Sequence, residues 1–142
     1  PYFDALIASK EIKKTYLAII QGHLPQKEMS VNLPIGQDRH SKNKMCISKT
    51  GKEATSHFKE IKTNKNYTLV KCQIETGRKH QIRVHLNHLH HPIVGDSLYG
   101  KVSSKIKRMA LHAYCLEFIH PLNNQPMIIE CPLPLDMESI LK

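Results

Sequence analysis

Bulky apolar residues recur along this chain with two different periods, and the change of period falls at a glycine. Residues 67–76 are rich in β-branched and aromatic side chains, the composition of a strand. Beyond Gly77, the positions Ile82, His85, Leu86 and Leu89 recur at helical spacing and mark one face of a short helix. Gly77 stands between them, where a sharp turn gains from a residue without Cβ. Such a junction offers backbone N–H groups at a helix start, with Arg78, Lys79 and Arg83 crowded beside them. Phosphate or carboxylate suits that place, because helix N-termini and cations both favour negative charge.

The same reading extends in both directions. Phe3, Leu6 and Ile7 predict a short amphipathic helix over residues 2–10, and residues 13–21 alternate as a strand ending at Gly22-His23. Residues 29–33 form an extended piece closed by Pro34, and 36–43 a polar, basic loop. Residues 44–48 and 53–62 predict two strands of a hairpin around Thr50-Gly51-Lys52, and Asn64-Lys65-Asn66 turns the chain into the next strand. His91-Pro92 stops the helix, since proline disfavours helical backbone in the residue before it. Residues 101–108 are a basic loop. A second hairpin is predicted from 110–119 and 127–131, and Asp136 is placed to cap a final helix using Met137, Ile140 and Leu141. The sum is an α+β chain with a largely antiparallel mixed sheet and a few short helices. It contains no internal repeat, linker or low-complexity segment.

Composition narrows the class. A chain of 142 residues suits one domain, or part of one. Its net charge of +9 raises the prospect of a polyanionic partner, although a basic soluble protein with no such partner has the same balance. Cys46, Cys72, Cys115 and Cys131 are widely spaced and three lie in apolar runs, which reads as buried thiols of a reduced, cytoplasmic protein. No apolar run reaches membrane-spanning length, and no signal-peptide pattern opens the chain.

The motifs then point to a family. Glu75-Thr76-Gly77-Arg78-Lys79-His80-Gln81-Ile82-Arg83-Val84-His85-Leu86, followed by His91-Pro92-Ile93-Val94-Gly95-Asp96-Ser97-Leu98-Tyr99-Gly100, resembles the signature of the RluA-like pseudouridine synthases. Lys14-Thr15-Tyr16, Pro34-Ile35, Lys44-Met45, Gly51-Lys52-Glu53-Ala54-Thr55, Leu111-His112-Ala113 and His120-Pro121 match in order and spacing. The resemblance covers nearly the whole chain. One departure matters: the family's nucleophile is an aspartate in a His-Arg-Leu-Asp motif, and no such motif occurs here. Asp4 lies in a segment matching the helix after the catalytic loop, and Asp38 lies in a loop after Pro34. Residues 1–142 are therefore expected to be the C-terminal portion of a synthase catalytic domain, cut downstream of its nucleophile and inactive alone.

The resemblance implies the rest. The whole enzyme would isomerise uridine to pseudouridine in structured RNA, ribosomal RNA ahead of transfer RNA, with no cofactor and as a monomer. Arg83 matches the arginine that pairs with the catalytic aspartate; without that partner it is expected to turn to solvent or find another acid. Tyr16, by periodicity a core tyrosine, matches the family's active-site tyrosine that stacks on the target base. Arg78, Lys79 and His80 form the turn itself. A solvated basic loop is the plain reading for Lys79, phosphate contact the one adopted for Arg78, and His80 or Gln81 are alternatively ties that hold the junction rigid. All three basic residues, with Lys14 and Lys44, are carried forward as RNA-binding candidates. The histidines between His80 and His91 lack acidic or cysteine neighbours and match no zinc spacing, so no metal is expected. Gly95-Asp96 reads as a turn with Tyr99-Gly100 packed beside it. His112 and His120 read as structural or phosphate-facing. The alternatives are a non-catalytic RNA-binding module and, on charge alone, a DNA-binding protein, which lacks any helix-turn-helix or zinc-finger pattern.

Overall fold

A computed structural model describes residues 12–142. The predicted helix over residues 2–10, with Asp4, lies outside them. The strands are β1 Lys13–Gln21, β2 Glu28–Asn32, β3 Ile35–Gln37, β4 Met45–Ile47, β5 Thr55–Thr63, β6 Tyr67–Ile74, β7 Leu111–Ile119 and β8 Pro126–Glu130. The helices are α1 Gln81–His88 and α2 Leu135–Glu138, the latter running into a 3₁₀ turn at Ser139–Leu141. Six strands form one sheet in the order β2-β5-β6-β1-β7-β8, and β3 and β4 form a separate pair. Every pairing is antiparallel. The α+β architecture is as the patterning predicts, and no described helix is long and apolar enough to cross a membrane.

Register decides what faces what. Phe58 lies opposite Cys72, and Cys72 opposite Tyr16, so these side chains share one face of the sheet. By alternation Ser56, Ala18 and Lys14 belong to that face too. Helix α1 covers it: Ser56 Oγ lies 2.8 Å from His85 Nδ1 and accepts from Gln81 Nε2 at 3.0 Å, while Ile82 and Leu86 join the core built on Ala18, Phe58, Val70 and Cys72. An eight-residue helix is too short to persist alone, so this packing is what keeps α1 helical.

Four local expectations are corrected. Strands β4 and β5 do not form a hairpin; β4 pairs with β3, and β5 lies between β2 and β6. The cause is a backbone approach that sequence does not show: a Cβ on Gly51 would sit 2.4 Å from the Ile35 carbonyl carbon, where Lys52 bridges back to Ile35. Gly77 is not the residue that makes the junction; it has no positive φ, and the left-handed residue is His80 at φ 59°. Helix α1 ends before His91-Pro92, because His90 at φ 66° closes a Schellman motif with His90 N–H to Asn87 C=O at 2.9 Å and His91 N–H to Leu86 C=O at 3.0 Å. Asp136 does not cap α2, whose N-cap is Pro134; its carboxylate instead receives Arg108 at 2.9 and 3.0 Å. Of the cysteines, Cys72 alone is buried, and all four are free thiols.

Candidate active site

The site grows from the end of β6. Gln81 is 2% exposed, and its amide is fully used. Its Oε1 accepts from Thr76 Oγ1 at 2.6 Å and Arg78 N–H at 3.1 Å, and its Nε2 donates to the Thr55 carbonyl and to Ser56. Of the two ties left open by the sequence, Gln81 holds the junction to β5, and His80 binds elsewhere: its Nδ1 lies 2.8 Å from the Tyr99 hydroxyl. That hydroxyl also accepts the Met45 N–H at 2.8 Å, so its single proton is available to His80. One phenol thereby ties β4, the start of α1 and the loop after residue 96 together.

Arg83 lies on top of this knot. Its Nε donates to Asp96 Oδ2 at 2.9 Å and its Nη2 to Asp96 Oδ1 at 2.8 Å, a bidentate fork. Its guanidinium carbon lies 5.0 Å from the centre of the Tyr99 ring, within cation–π range. Asp96 is 1% exposed, and its Oδ1 also accepts the N–H groups of Leu98 and Tyr99 at 3.1 and 3.2 Å. Gly95-Asp96 is thus a turn, as read, and in addition the acid that Arg83 finds. Burial pushes the Asp96 carboxyl up, but the hydrogen bonds from Arg83 and the two N–H groups outweigh it and hold the carboxyl below its ordinary value. The hydrogen bond to Asp96 raises Arg83 in turn. Burial, then the nearby Arg83 and Lys79 charges, lower His80, which keeps it a neutral acceptor for Tyr99.

The other candidates distribute around this centre. Arg78 is anchored by its Nε to the Glu53 carbonyl at 2.7 Å, and Lys79 is exposed. Lys44 precedes Met45, so it stands at the β4 side of the Tyr99 knot. Tyr16 is half-buried on the sheet face under α1, its hydroxyl bonds to no described residue, and burial raises its phenol. Lys14 is partly exposed two residues away on the same face. Arg78, His80, Arg83 and Lys44 therefore gather at the start of α1, whereas Tyr16 and Lys14 share α1's face of the sheet without bonding to Arg83. His112 serves structure, its Nε2 lying 2.8 Å from the Cys131 carbonyl, and His120 accepts the Leu122 N–H. Among the described residues, no group of three His, Cys, Asp or Glu is placed to hold a metal ion.

Sequence reasoning missed Asp96 as the partner of Arg83, the bridging role of Tyr99, and His85. The last is fully buried between Ser56 Oγ at Nδ1 and the Leu33 carbonyl at Nε2, 3.0 Å away. A carbonyl cannot donate, so Nε2 carries the proton and Nδ1 accepts. Burial lowers the imidazole below its ordinary value. A depressed histidine binds its proton more readily unfolded than folded, so stability is full above the unfolded pKa of about 6.5 and is lost as pH falls below it. Urea midpoints measured between about pH 7.5 and 5 should drop with acid, and His85→Gln should flatten that decline; an unchanged slope in the variant would exclude His85 as the source.

A family model described as RNA pseudouridylate synthase matches residues 2–88, more than half of the chain, and the chain belongs to that family. Its place within it is RluA-like. It is 41% identical over 141 residues to the uncharacterized RNA pseudouridine synthase YhcT of Bacillus subtilis, covering 98% of this chain and 47% of that protein. It is 37% identical over 145 residues to ribosomal large subunit pseudouridine synthase D of Nitrosomonas europaea, covering 96% of this chain and 42% of that protein. The fold matches human RNA pseudouridylate synthase domain containing 1 with a TM-score of 0.79 at 27% identity, covering 91% of this chain and 58% of that one. The chain thus spans about half the length of the curated relatives it matches.

Proposed function

We propose that this chain supplies the arginine-bearing side of a pseudouridine synthase active site acting on structured RNA, ribosomal RNA ahead of transfer RNA. The reaction breaks the glycosidic C–N bond, turns the uracil over and joins it to the sugar through carbon. Uracil's own carbonyls accept the electrons, so no cofactor enters. Arg83 stabilises and orients the carboxylate of the nucleophilic aspartate, Tyr16 stacks on the flipped base, Arg78, Lys79, Lys14 and Lys44 neutralise phosphates, and neutral His80 donates its Nε2–H to the RNA. The observation that carries this reading is Arg83 itself, a guanidinium held rigidly on α1, the helix that covers the sheet face of Tyr16. The free cysteines accord with a cytoplasmic setting, and the protein acts as a monomer.

Residues 1–142 contain no His-Arg-Leu-Asp, and on this reading they form no pseudouridine by themselves. Tritium release from RNA labelled at uracil C5 measures the reaction. The chain alone should release none while binding structured RNA with an affinity that falls steeply with salt. Adding back an aspartate-bearing segment should restore release. Turnover by the chain alone would contradict this placement of the nucleophile. The absence of the motif favours one second reading, a non-catalytic RNA-binding module, for which no added segment restores release.

A further inference from the structure

Arginine presents two hydrogen-bonding edges to its partners: a side edge made of Nε and Nη2, and an end edge made of Nη1 and Nη2. Asp96 occupies the side edge of Arg83 with both carboxylate oxygens. No described residue accepts a hydrogen bond from Nη1, so among them the end edge is unclaimed. The orientation of the plane is set three times over. The fork aligns it with Asp96, its carbon sits over the Tyr99 ring 5.0 Å from the centre, and the Leu98 and Tyr99 N–H groups fix the carboxylate it grips. A pair serving stability alone gains little from such construction, since apolar residues in its place are often as stable. An arginine that must meet a second anion at a set angle gains a great deal, because small errors in placement slow a reaction steeply.

We propose that Asp96 is the positioning residue of Arg83: it holds the side edge so that the end edge faces a second carboxylate. This rests on the synthase reading above, in which that carboxylate belongs to the nucleophile. Asp96 itself touches neither substrate nor reacting atoms. Its carboxylate is spent on Arg83 and two backbone N–H groups, which separates it from the nucleophile's role.

The test has two arms. In the chain as it stands, the Arg83 Nε–H resonance should exchange slowly with solvent, and Asp96→Asn should abolish that protection while leaving the amide dispersion intact. An Nε–H that exchanges as fast in the wild type as in the variant overturns the held edge, whatever the protein's activity. In the synthase that carries this chain, Asp96→Asn should lower kcat for pseudouridine formation by about 100-fold with KM for RNA within about twofold. Asp96→Glu, which keeps the charge, should recover part of the loss. Asp96→Asn with wild-type kcat, or with raised KM and intact kcat, overturns the positioning role. Should Asp96→Asn fail to fold, the wild-type chain still decides: an Arg83 Nε–H that exchanges as fast as that of a fully solvated arginine side chain overturns the held edge. A wild-type synthase without product sinks the synthase reading instead, and the exchange measurement still decides whether Asp96 holds the edge.

Discussion

Asp96→Ala should destabilise the fold by about 3–5 kcal/mol, the cost of leaving one member of a buried ion pair without its partner. The Arg83 side chain is 17% exposed and that of Asp96 1%, so solvent cannot replace the lost carboxylate where it is needed. Two backbone N–H groups, of Leu98 and Tyr99, lose their acceptor in the same step. For a domain of this size each kcal/mol corresponds to about 2–8 °C, so thermal unfolding should shift down by at least about 6 °C. Replacing both members, Arg83→Leu with Asp96→Leu, should recover much of that loss, because the expense lies in the orphaned charge rather than in the absent bond. The pH behaviour has the opposite origin to that of His85. The depressed Asp96 carboxyl contributes stability present above its unfolded pKa of about 3.9 and lost as pH falls through its folded value, well below the histidine window. A single variant within about 1 kcal/mol of wild type by urea unfolding would show that Arg83 finds water without penalty.

Gly95→Ala should cost about 2–5 kcal/mol, from two additive sources. Gly95 sits at φ 80°, where a Cβ costs roughly 1–2 kcal/mol. That Cβ would also lie 2.3 Å from the carbonyl oxygen of Arg108, a backbone clash worth about 1–3 kcal/mol more. The turn cannot back away, since Val94 N–H bonds the Ile19 carbonyl on one side and Ala110 N–H bonds the Val94 carbonyl on the other. Because Asp96 follows directly, the displacement should also loosen its grip on Arg83. Gly77→Ala is the contrast: nothing lies within 4 Å of its added Cβ, and its φ is not positive, so stability should stay level or rise by up to about 1 kcal/mol. Equal losses at the two glycines in thermal melts would refute the steric account.

These two glycines show how much of the molecule could be read in advance. By sequence Gly77 looked like the pivot, because the period of apolar residues changes there, whereas the constraint falls on His80 and, farther on, on Gly95. A glycine's letter records permission, not need; what approaches it comes from a distant part of the chain. The same limit explains Gly51. The chain turns at Thr50-Gly51-Lys52 as expected, yet the strands on either side pair elsewhere, because Lys52 bridges to Ile35 and draws β4 onto β3. Strand β1 fared better, running over Lys13–Gln21 as the alternation predicts, because its faces are set by burial that each residue reports for itself.

By itself the sequence determined the elements other than β3, which forms at Ile35–Gln37 where a loop from residue 36 was expected, and also the α+β class, the basic character and, through linked motifs, the synthase family. Those properties are local or cumulative, so each residue contributes to them independently of where the others lie. Tertiary structure alone decided that Arg83 grips Asp96, that Tyr99 ties His80 to Met45, and that His85 is sealed between Ser56 and Leu33. Each of those bonds joins segments whose separation in sequence carries no signal, and each exists because a buried polar atom must find a partner within about 3 Å once water is gone.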